Sequence, residues 1–302
     1  MYACLRLCIT CLLYAISHEN IHSERTDQVA HTSRQSRESE AMLVAVDVGN
    51  TQTNLGLIDD EGTILHQWRM ATNPTNTPDE LLERVRGFFA MSDFKLEHVR
   101  AFVVSCVVPL LAQEWSACAQ AIKSIDDVCF IEATRDCGIT CTLKELHQVG
   151  ADRIANAVGA LTCYGPSTIV VDFGTATNID VVDRTGAFVG GVIMPGILMG
   201  AHALFSRAAK LSSVELTPPL HTIGTNTEEA VQSGIMIGSI ACVEGLASRI
   251  KQELHDPEMQ VIATGGSASM IAAATSLFDH VDQELTVRGM YHIWKHYKKT
   301  KQ

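Results

Sequence analysis

The chain has 302 residues, of which 46% are hydrophobic, so it can bury one elaborate core or two smaller ones. Its formal net charge of −11 argues against non-specific binding to nucleic acid, because the one basic stretch is the C-terminal tail, residues 295–301. We expect that tail to be a solvated, frayed end. Seven of the ten cysteines, Cys106 and Cys242 among them, lie in apolar segments, which favours reduced core thiols in a cytosolic protein.

The first 41 residues differ from the rest of the chain. Their apolar run, MYACLRLCITCLLYAIS, is interrupted by Arg6, and the polar string that follows has neither helical nor strand periodicity. The run suits neither a transmembrane span nor an uninterrupted signal sequence. We therefore expect residues 1–41 to be a non-native or disordered leader, with Met42 as the true start. A weak signal or membrane anchor is the alternative.

From Met42 onward the pattern is α/β. Short apolar runs at 43–48, 55–58 and 63–70, with the turn sequence DDEG between the last two, predict a meander of three strands. Residues 78–91 begin with Pro and acidic residues and carry apolar side chains at helical spacing, which predicts a helix. A buried strand at 101–108, a helix in PLLAQEWSACAQAI and a strand in DDVCFIEA follow.

The sequence then restarts at residue 168. The stretch VVDFGTATN repeats the earlier VAVDVGNTQTN, which places Asp172 on Asp47 and Gly174 on Gly49, and a second meander follows. This is an internal duplication at the scale of a domain. A strand that ends in Asp, Gly and small hydroxyl residues lets backbone N–H groups approach phosphate oxygens, while the Asp can hold a hydrated divalent cation. Two such turns facing each other across a cleft could grip a triphosphate.

Two further segments carry chemistry. The strand and Gly-Gly-Ser loop of VIATGGSA, residues 261–268, suit the base and ribose of a nucleotide, because glycines remove side chains that would block a flat ligand. In QVGADRIANAVGAL, residues 148–161, apolar residues at helical spacing predict an amphipathic helix with Asp152 in its first turn. An Asp at that position is also ordinary compensation of the helix dipole.

The combination of paired Asp-Gly turns with a late Gly-Gly loop resembles the pattern of one superfamily. Its members include acetate and sugar kinases, heat-shock chaperones and actin. Five motifs in order, DVGNTQTN (47–54), GADR (150–153), DFGTATN (172–178), GGVIMPG (190–196) and NTEEAVQSG (226–234), resemble the type III pantothenate kinases. This resemblance implies a duplicated actin-like (ribonuclease H-like) ATPase fold. Its two similar halves, 42–150 and 151–302, would lie around a nucleotide cleft.

The resemblance also implies ATP-dependent phosphorylation of pantothenate to 4′-phosphopantothenate, the first step of coenzyme A biosynthesis. Asp152 would be the general base, and Asp172 would bind a monovalent cation, K⁺ or NH₄⁺. Substrate would be bound by residues Gly150, Ala151, Asp152, Arg153 and Thr227. ATP, with Mg²⁺ held through water by Asp47, would be bound by Asp47, Val48, Gly49, Asn50, Thr51, Gln52, Thr53, Asn54 and Thr175.

The resemblance further implies a cytoplasmic homodimer, with pantothenate and ATP as its ligands and no nucleic acid or membrane. Two small residues at i and i+4, Gly234 and Gly238, offer a face for close packing inside the subunit or against a second one. Thr225 with Glu228 has the pattern of a capping box. The family often carries Tyr where this chain has Leu143, so we expect one hydroxyl contact to the substrate to be missing. The alternatives are a kinase for another small hydroxylated substrate and a non-catalytic regulator of the Bvg accessory factor kind.

Overall fold

The computed structural model describes residues 42–207 and 214–301, and the predicted leader, 1–41, lies outside the described residues. Two mixed five-stranded sheets form the framework, in the orders β3-β2-β1-β4-β5 and β10-β9-β6-β7-β8. The first contains β1 (Met42–Val48), β2 (Gln52–Ile58), β3 (Ile64–Ala71), β4 (Val99–Cys106) and β5 (Asp127–Phe130). The second contains β6 (Thr168–Phe173), β7 (Ala176–Val182), β8 (Phe188–Pro195), β9 (Gln260–Thr264) and β10 (His280–Val281).

Helices pack on these sheets and between them. Their bounds are α1 (Pro78–Ala90), α2 (Pro109–Gln120), α3 (Ala151–Tyr164), α4 (Ile197–Arg207), α5 (Thr227–Gln232), α6 (Gly238–Glu253), α7 (Ala268–Ala272) and α8 (Leu285–Thr300). A π-helical turn, Ser233–Ile237, joins α5 to α6, and 3₁₀ turns occupy Leu96–His98 and Leu146–Gln148. The predicted helix at 78–91 is confirmed as α1, which begins after a capping box between Thr77 and Glu80.

The two sheets have the same topology, which confirms the predicted duplication. In each, an antiparallel meander (β1-β2-β3 or β6-β7-β8) is extended by two parallel strands on the side of its first strand. The register is equivalent too, since Asp47 lies opposite Asn54 and Asp172 lies opposite Asn178. The fold is therefore a duplicated α/β fold of the actin type.

Helices α3 and α8 pack against each other between the sheets. One core cluster joins Ile154 of α3 and Met290 of α8 to Ala45 of the first sheet, and another joins Leu285 to Val170 of the second sheet. The prediction of a frayed C-terminal tail is wrong, because α8 continues through Thr300. Lysines of its last turns lie over aromatic rings of the same helix, and Lys301 Nζ is 3.3 Å from Asp127 Oδ1.

Several local predictions in the second half are corrected. The cap of α5 is Asn226, whose side chain accepts from the N–H of Glu229, and the Thr225 N–H and hydroxyl both donate to the Glu229 carboxylate rather than to Glu228. Glu229 takes this role because it is the residue at the third helical position. The seven described cysteines are free thiols, as expected, but Cys163 and Cys242 are exposed rather than in the core.

The helical stretch Thr227–Glu253 is long and apolar enough, by length and composition alone, to cross a membrane. A third of its most apolar 18-residue window is buried inside the protein. The buried side chains, Met236, Ile240, Val243 and Ala247, pack on the second sheet. The stretch thus serves as a core helix on one face and leaves the other uncovered.

Candidate active site

The two Asp-Gly turns face each other. In the first, the N–H of Gly49 donates to the carbonyl of Gln52, and in the second the N–H of Gly174 donates to the carbonyl of Ala176. The Thr175 hydroxyl donates to the Thr51 hydroxyl at 2.9 Å, 124 positions away in sequence. The two turns, predicted to be phosphate loops, therefore meet where the cleft between the two halves is expected.

Asp47 is the penultimate residue of β1 and lies beside the first turn. Its Oδ1 accepts a hydrogen bond of 2.9 Å from the hydroxyl of Ser105, its neighbour on the parallel strand β4. Burial raises the pKa of Asp47 to about 7, and the nearby Asp152 and Asp172 carboxylates add to the rise. An ionised Asp47 consequently favours a cation beside it.

Asp152 lies in the first turn of α3. Its Oδ1 accepts from the N–H of Arg153 at 2.9 Å, so the side chain caps its own helix, whose N-cap residue is Gly150. A Cβ on Gly150 would collide with that same oxygen, which explains the glycine. Burial raises the pKa of Asp152 above its ordinary value, while the Arg153 N–H and guanidinium oppose the rise. This carboxylate has the character of a base whose basicity is increased by its surroundings.

Asp172 is the penultimate residue of β6, at the position equivalent to Asp47. Its Oδ2 accepts from the side-chain amide of Asn156 at 3.0 Å, and its Oδ1 lies where a Cβ on Gly265 would otherwise be. Burial raises the pKa of Asp172 to about 6, opposed by the Asn156 hydrogen bond. Among the described residues, its side-chain hydrogen-bond partner is the neutral amide of Asn156, and no cationic side chain contributes to its pKa.

Arg153 is held by a buried carboxylate. Its Nε donates to Asp180 Oδ1 at 2.6 Å, and its guanidinium lies 5.6 Å from the ring centroid of Phe188. Asp180 is fully buried on β7, and burial raises its pKa to about 7 despite the guanidinium. The Nη2 of Arg153 has no hydrogen-bond partner within the described chain. This nitrogen is itself buried, so it is an unsatisfied donor and not an exposed one.

The acidic cluster fits bound cations. Asp47, Asp152 and Asp172 are close enough for the Asp152 charge to raise the pKa of both others, while the guanidinium of Arg153 is paired with Asp180. Among residues 42–207 and 214–301, no group of three or more His, Cys, Asp or Glu side chains could enclose a metal ion. A divalent ion here would rest on one or two carboxylates plus water and phosphate oxygens, which is the usual environment of Mg²⁺ with a nucleotide.

The remaining predicted ATP-site residues differ in exposure, and Asn54 is half-buried, with its Oδ1 accepting from Arg69 Nε. The side chains of Asn50, Thr51, Gln52 and Thr175 are exposed at the cleft, whereas Val48 and Thr53 have buried side chains and can offer a ligand their backbone alone. Thr227 is exposed at the first position of α5, and none of the hydrogen bonds described for that segment joins it to the Gly150–Arg153 turn.

Sequence reasoning missed the partners of Asp47, Asp172 and Arg153, which are Ser105, Asn156 and Asp180 respectively. Each is a fully buried polar residue in an otherwise apolar segment. That pattern is the signal that could have found them, because buried polar groups need partners and often fix a site.

Comparison with known proteins identifies relatives along most of the chain. The family model described as type III pantothenate kinase matches residues 43–249. A type III pantothenate kinase from Hyphomonas neptunium is 39% identical over 254 residues, covering 84% of this chain and 99% of the relative. One from Halalkalibacterium halodurans is 37% identical over 254 residues, with the same coverage.

Solved structures support the fold. A conserved putative Baf family transcriptional activator from Campylobacter jejuni aligns with a TM-score of 0.56 at 20% identity, covering 85% of this chain and 99% of that one. A putative 2-dehydro-3-deoxygalactonokinase from Sinorhizobium meliloti aligns with a TM-score of 0.53 at 15% identity, covering 84% and 96%. At these identities the likeness concerns the fold alone.

Proposed function

This chain belongs to the type III pantothenate kinase family, and we propose that it phosphorylates pantothenate with ATP, the first step of coenzyme A biosynthesis. The observation that carries the proposal is the meeting of two phosphate loops, through Thr51 and Thr175, beside the carboxylates Asp47, Asp152 and Asp172. Phosphoryl transfer requires positioning and neutralisation of charge more than covalent participation, and this cleft offers both.

In the proposed reaction the pantothenate hydroxyl oxygen attacks the γ-phosphorus of ATP. The bond from that phosphorus to the β–γ bridging oxygen breaks, ADP leaves, and the hydroxyl proton passes to the Asp152 carboxylate. Mg²⁺, when bound, neutralises charge on the phosphates. Backbone N–H groups of these two turns, other than those of Gly49 and Gly174 that donate within the turns, would bind phosphate oxygens, and the raised pKa of Asp152 suits a general base.

Pantothenate binding is assigned to the Gly150–Arg153 turn. Arg153 is held beside this turn by Asp180, and Gly191 leaves space for its guanidinium. Leu143 packs on the core beside this region and supplies no hydroxyl, so this chain relies on the turn itself for polar contacts.

We assign a monovalent cation, K⁺ or NH₄⁺, to Asp172. The support is a partly buried carboxylate at a strand end that has a neutral amide, and not a cationic side chain, as its hydrogen-bond partner. A weakly hydrated cation would offset the cost of keeping that carboxylate ionised.

The molecule is proposed to be a cytoplasmic homodimer. Six large hydrophobic side chains of one segment are exposed, Ile193, Leu198, Met199, Leu204, Leu220 and Ile223. Gly234 and Gly238 face open space, so their small-residue face is available to another subunit rather than used inside this one. An exposed apolar surface of this kind marks an interface, and a second copy could complete the site around Thr227.

The proposal is tested by coupled ADP release with pantothenate as the substrate. Asp152→Asn should keep the wild-type melting temperature and circular dichroism yet lose turnover by about 10²-fold or more, the usual range for loss of a general base. Asp126→Asn, an exposed aspartate away from the cleft, is the matched control and should keep full turnover. Near-normal turnover of Asp152→Asn would exclude it as the base, and wild-type protein inactive on pantothenate would exclude the function.

A further inference from the structure

A hydrogen-bonded relay joins the end of the chain to the carboxylate of Asp172. The hydroxyl of Thr286, in the first turn of α8, donates to Asn156 Oδ1 at 2.7 Å. The amide nitrogen of Asn156 then donates to Asp172 Oδ2 at 3.0 Å. Asn156 is fully buried on α3, one helical turn beyond Asp152. Three separate elements thus converge on one carboxylate.

The relay fixes the orientation of the amide. An ionised carboxylate can only accept hydrogen bonds, so the nitrogen of Asn156 must face Asp172. The Thr286 hydroxyl, by donating to the amide oxygen, stabilises that orientation, because the flipped amide would place its oxygen against the carboxylate. Removal of the hydroxyl alone should therefore loosen the bond to Asp172 without changing any group that touches a ligand.

Asp172 is confined on its other side as well. Its Oδ1 occupies the space that a side chain on Gly265 would fill, while its Oδ2 is bound by Asn156. Oδ2 of Asp172 is therefore already hydrogen-bonded to the protein, and the two contacts together hold the carboxylate in one rotamer. Orientation of this kind by groups behind a ligating side chain governs the affinity of ion sites.

In the first half of the duplication, the equivalent carboxylate, Asp47, has a different kind of hydrogen-bond donor. There, Asp47 accepts from Ser105 on the neighbouring parallel strand. The equivalent neighbour of Asp172 is Thr264, whose buried hydroxyl has no hydrogen-bond partner within the described chain. The second half therefore takes its donor from a helix and not from the adjacent strand. The relay is a feature of the Asp172 site and not an inherited part of the hairpin.

We propose that Asn156, oriented by Thr286, is a positioning residue that sets monovalent-cation affinity at Asp172. This inference rests on the proposed function and on the assignment of the cation to Asp172. It makes α8, the last helix of the chain, part of the cation site through contacts that reach no substrate.

The test measures K⁺ in two ways in the full chain, as the concentration for half-maximal activation of turnover and as the rise in melting temperature without substrates. Thr286→Val preserves side-chain volume and should raise the half-maximal K⁺ concentration by roughly tenfold, in the range found for residues behind metal ligands. The melting-temperature rise at a fixed subsaturating K⁺ concentration should shrink, while KM for pantothenate at saturating K⁺ stays within about twofold. Thr286→Ser keeps the hydroxyl and should restore the wild-type response.

Thr168→Val is the matched control, because Thr168 is also buried but lies at the other end of β6 without a hydrogen-bond partner in the described chain. It should leave the K⁺ response unchanged. If Thr286→Val does not fold, the double variant Asn156→Ala/Thr286→Val removes both partners of the Thr286–Asn156 hydrogen bond. It should show the same rise in the half-maximal K⁺ concentration.

An unchanged K⁺ midpoint in folded Thr286→Val, or in the double variant, overturns the inference. A wild-type enzyme that phosphorylates pantothenate but ignores K⁺ in both readouts overturns the inference and the cation assignment, and leaves the kinase function standing. A wild-type protein inactive on pantothenate counts against the proposed function, and the melting-temperature readout still decides whether the relay affects K⁺ binding.

Discussion

Gly265 and Gly266 are neighbours in the loop after β9, yet their surroundings differ. Gly265 has a φ of +89°, and a Cβ there would collide with the Asp172 carboxylate and the backbone of Phe173. Gly266 is exposed, and nothing lies within 4 Å of the position its Cβ would take. The first glycine is thus required by the protein itself, whereas the second leaves space that a flat ligand could use.

Alanine substitutions should separate these two roles. Gly265→Ala should destabilise the fold by about 1–3 kcal/mol, because it adds a left-handed strain and a collision. Gly266→Ala should keep the wild-type melting temperature but raise KM for ATP more than KM for pantothenate, because its methyl group enters the proposed nucleotide space. Thermal unfolding and steady-state kinetics measure both effects. Equal kinetic behaviour of Gly266→Ala and wild type would remove this loop from the nucleotide site.

Individual site residues differ in how well the sequence predicts them. Asp47 and Asp172 could be predicted because each comes at the end of an apolar run, so local sequence alone places them near the carboxyl end of a strand. Asn156 and Asp180 could not, because their roles depend on which side chain they meet after folding. Asn156 meets Asp172 from another element, 16 positions away, and no local pattern records that pairing.

At the scale of elements, the crossing of α3 and α8 holds the two sheets together. A Cβ on Gly289 of α8 would collide with the carbonyl of Ala155, and one on Gly159 of α3 would collide with the carbonyl of Leu285. Backbones can approach this closely only where side chains are absent. The same crossing carries Asn156 and Thr286, so tight packing and the relay to Asp172 depend on each other.

Matched Gly→Ala changes test this packing. Gly289→Ala should destabilise the protein by about 2 kcal/mol or more, since either the helices separate or the backbone shifts. Gly87→Ala lies in α1, where nothing is within 4 Å of the new methyl group, and should stabilise by about 0.5–1 kcal/mol through helix propensity. Chemical denaturation of both variants measures the difference. A neutral Gly289→Ala would show that the crossing tolerates separation.

Elements defined by local signals were predicted well, and those defined by distant contacts were not. The strands of both meanders have short apolar runs between turn residues, and α1 has its own capping box. The end of α8 has a polar, lysine-rich sequence, and it stays helical because Tyr291 and Ile293 pack into the core and Tyr297 packs against it. Its order comes from tertiary packing, which periodicity in a charged tail does not reveal.

At the scale of the whole molecule, the cleft gathers carboxylates whose pKa values lie far above those of the unfolded chain. The pKa is about 7 for Asp47 and Asp180 and about 6 for Asp172, against 3.8 for an ordinary aspartate. Between pH 3.8 and about pH 7, the native state therefore binds more protons than the unfolded state. The stability they contribute is complete below pH 4 or so and is lost as the pH rises through 6 to 7.

The ligand-free protein should consequently have a lower melting temperature at pH 8 than at pH 5. Burial lowers the pKa of His292, so this residue changes stability with pH in the opposite direction. It is one group against the three aspartates, whose effect should therefore dominate. K⁺ with Mg²⁺ and ADP should reduce the difference, because cations favour the ionised carboxylates. Scanning calorimetry at both pH values, with and without these ligands, measures the effect. A melting temperature that rises from pH 5 to pH 8 without ligands would contradict this view of the cleft.

The final prediction concerns assembly. Leu198 at the start of α4 is 62% exposed, and Leu220 and Ile223 are 93% and 83% exposed, an uncovered apolar surface in a protein with net charge −11. If this surface is the homodimer interface, Leu198→Glu buries an unpaired charge in each copy and should give monomers in sedimentation velocity. Turnover should fall at least about tenfold because the proposed interface shapes the substrate site.

Met91→Glu changes an equally exposed hydrophobic residue of the first half and should remain dimeric and active. A fully active Leu198→Glu monomer would show that one chain suffices for catalysis, whereas a monomeric wild type would remove the dimer while leaving the kinase function intact.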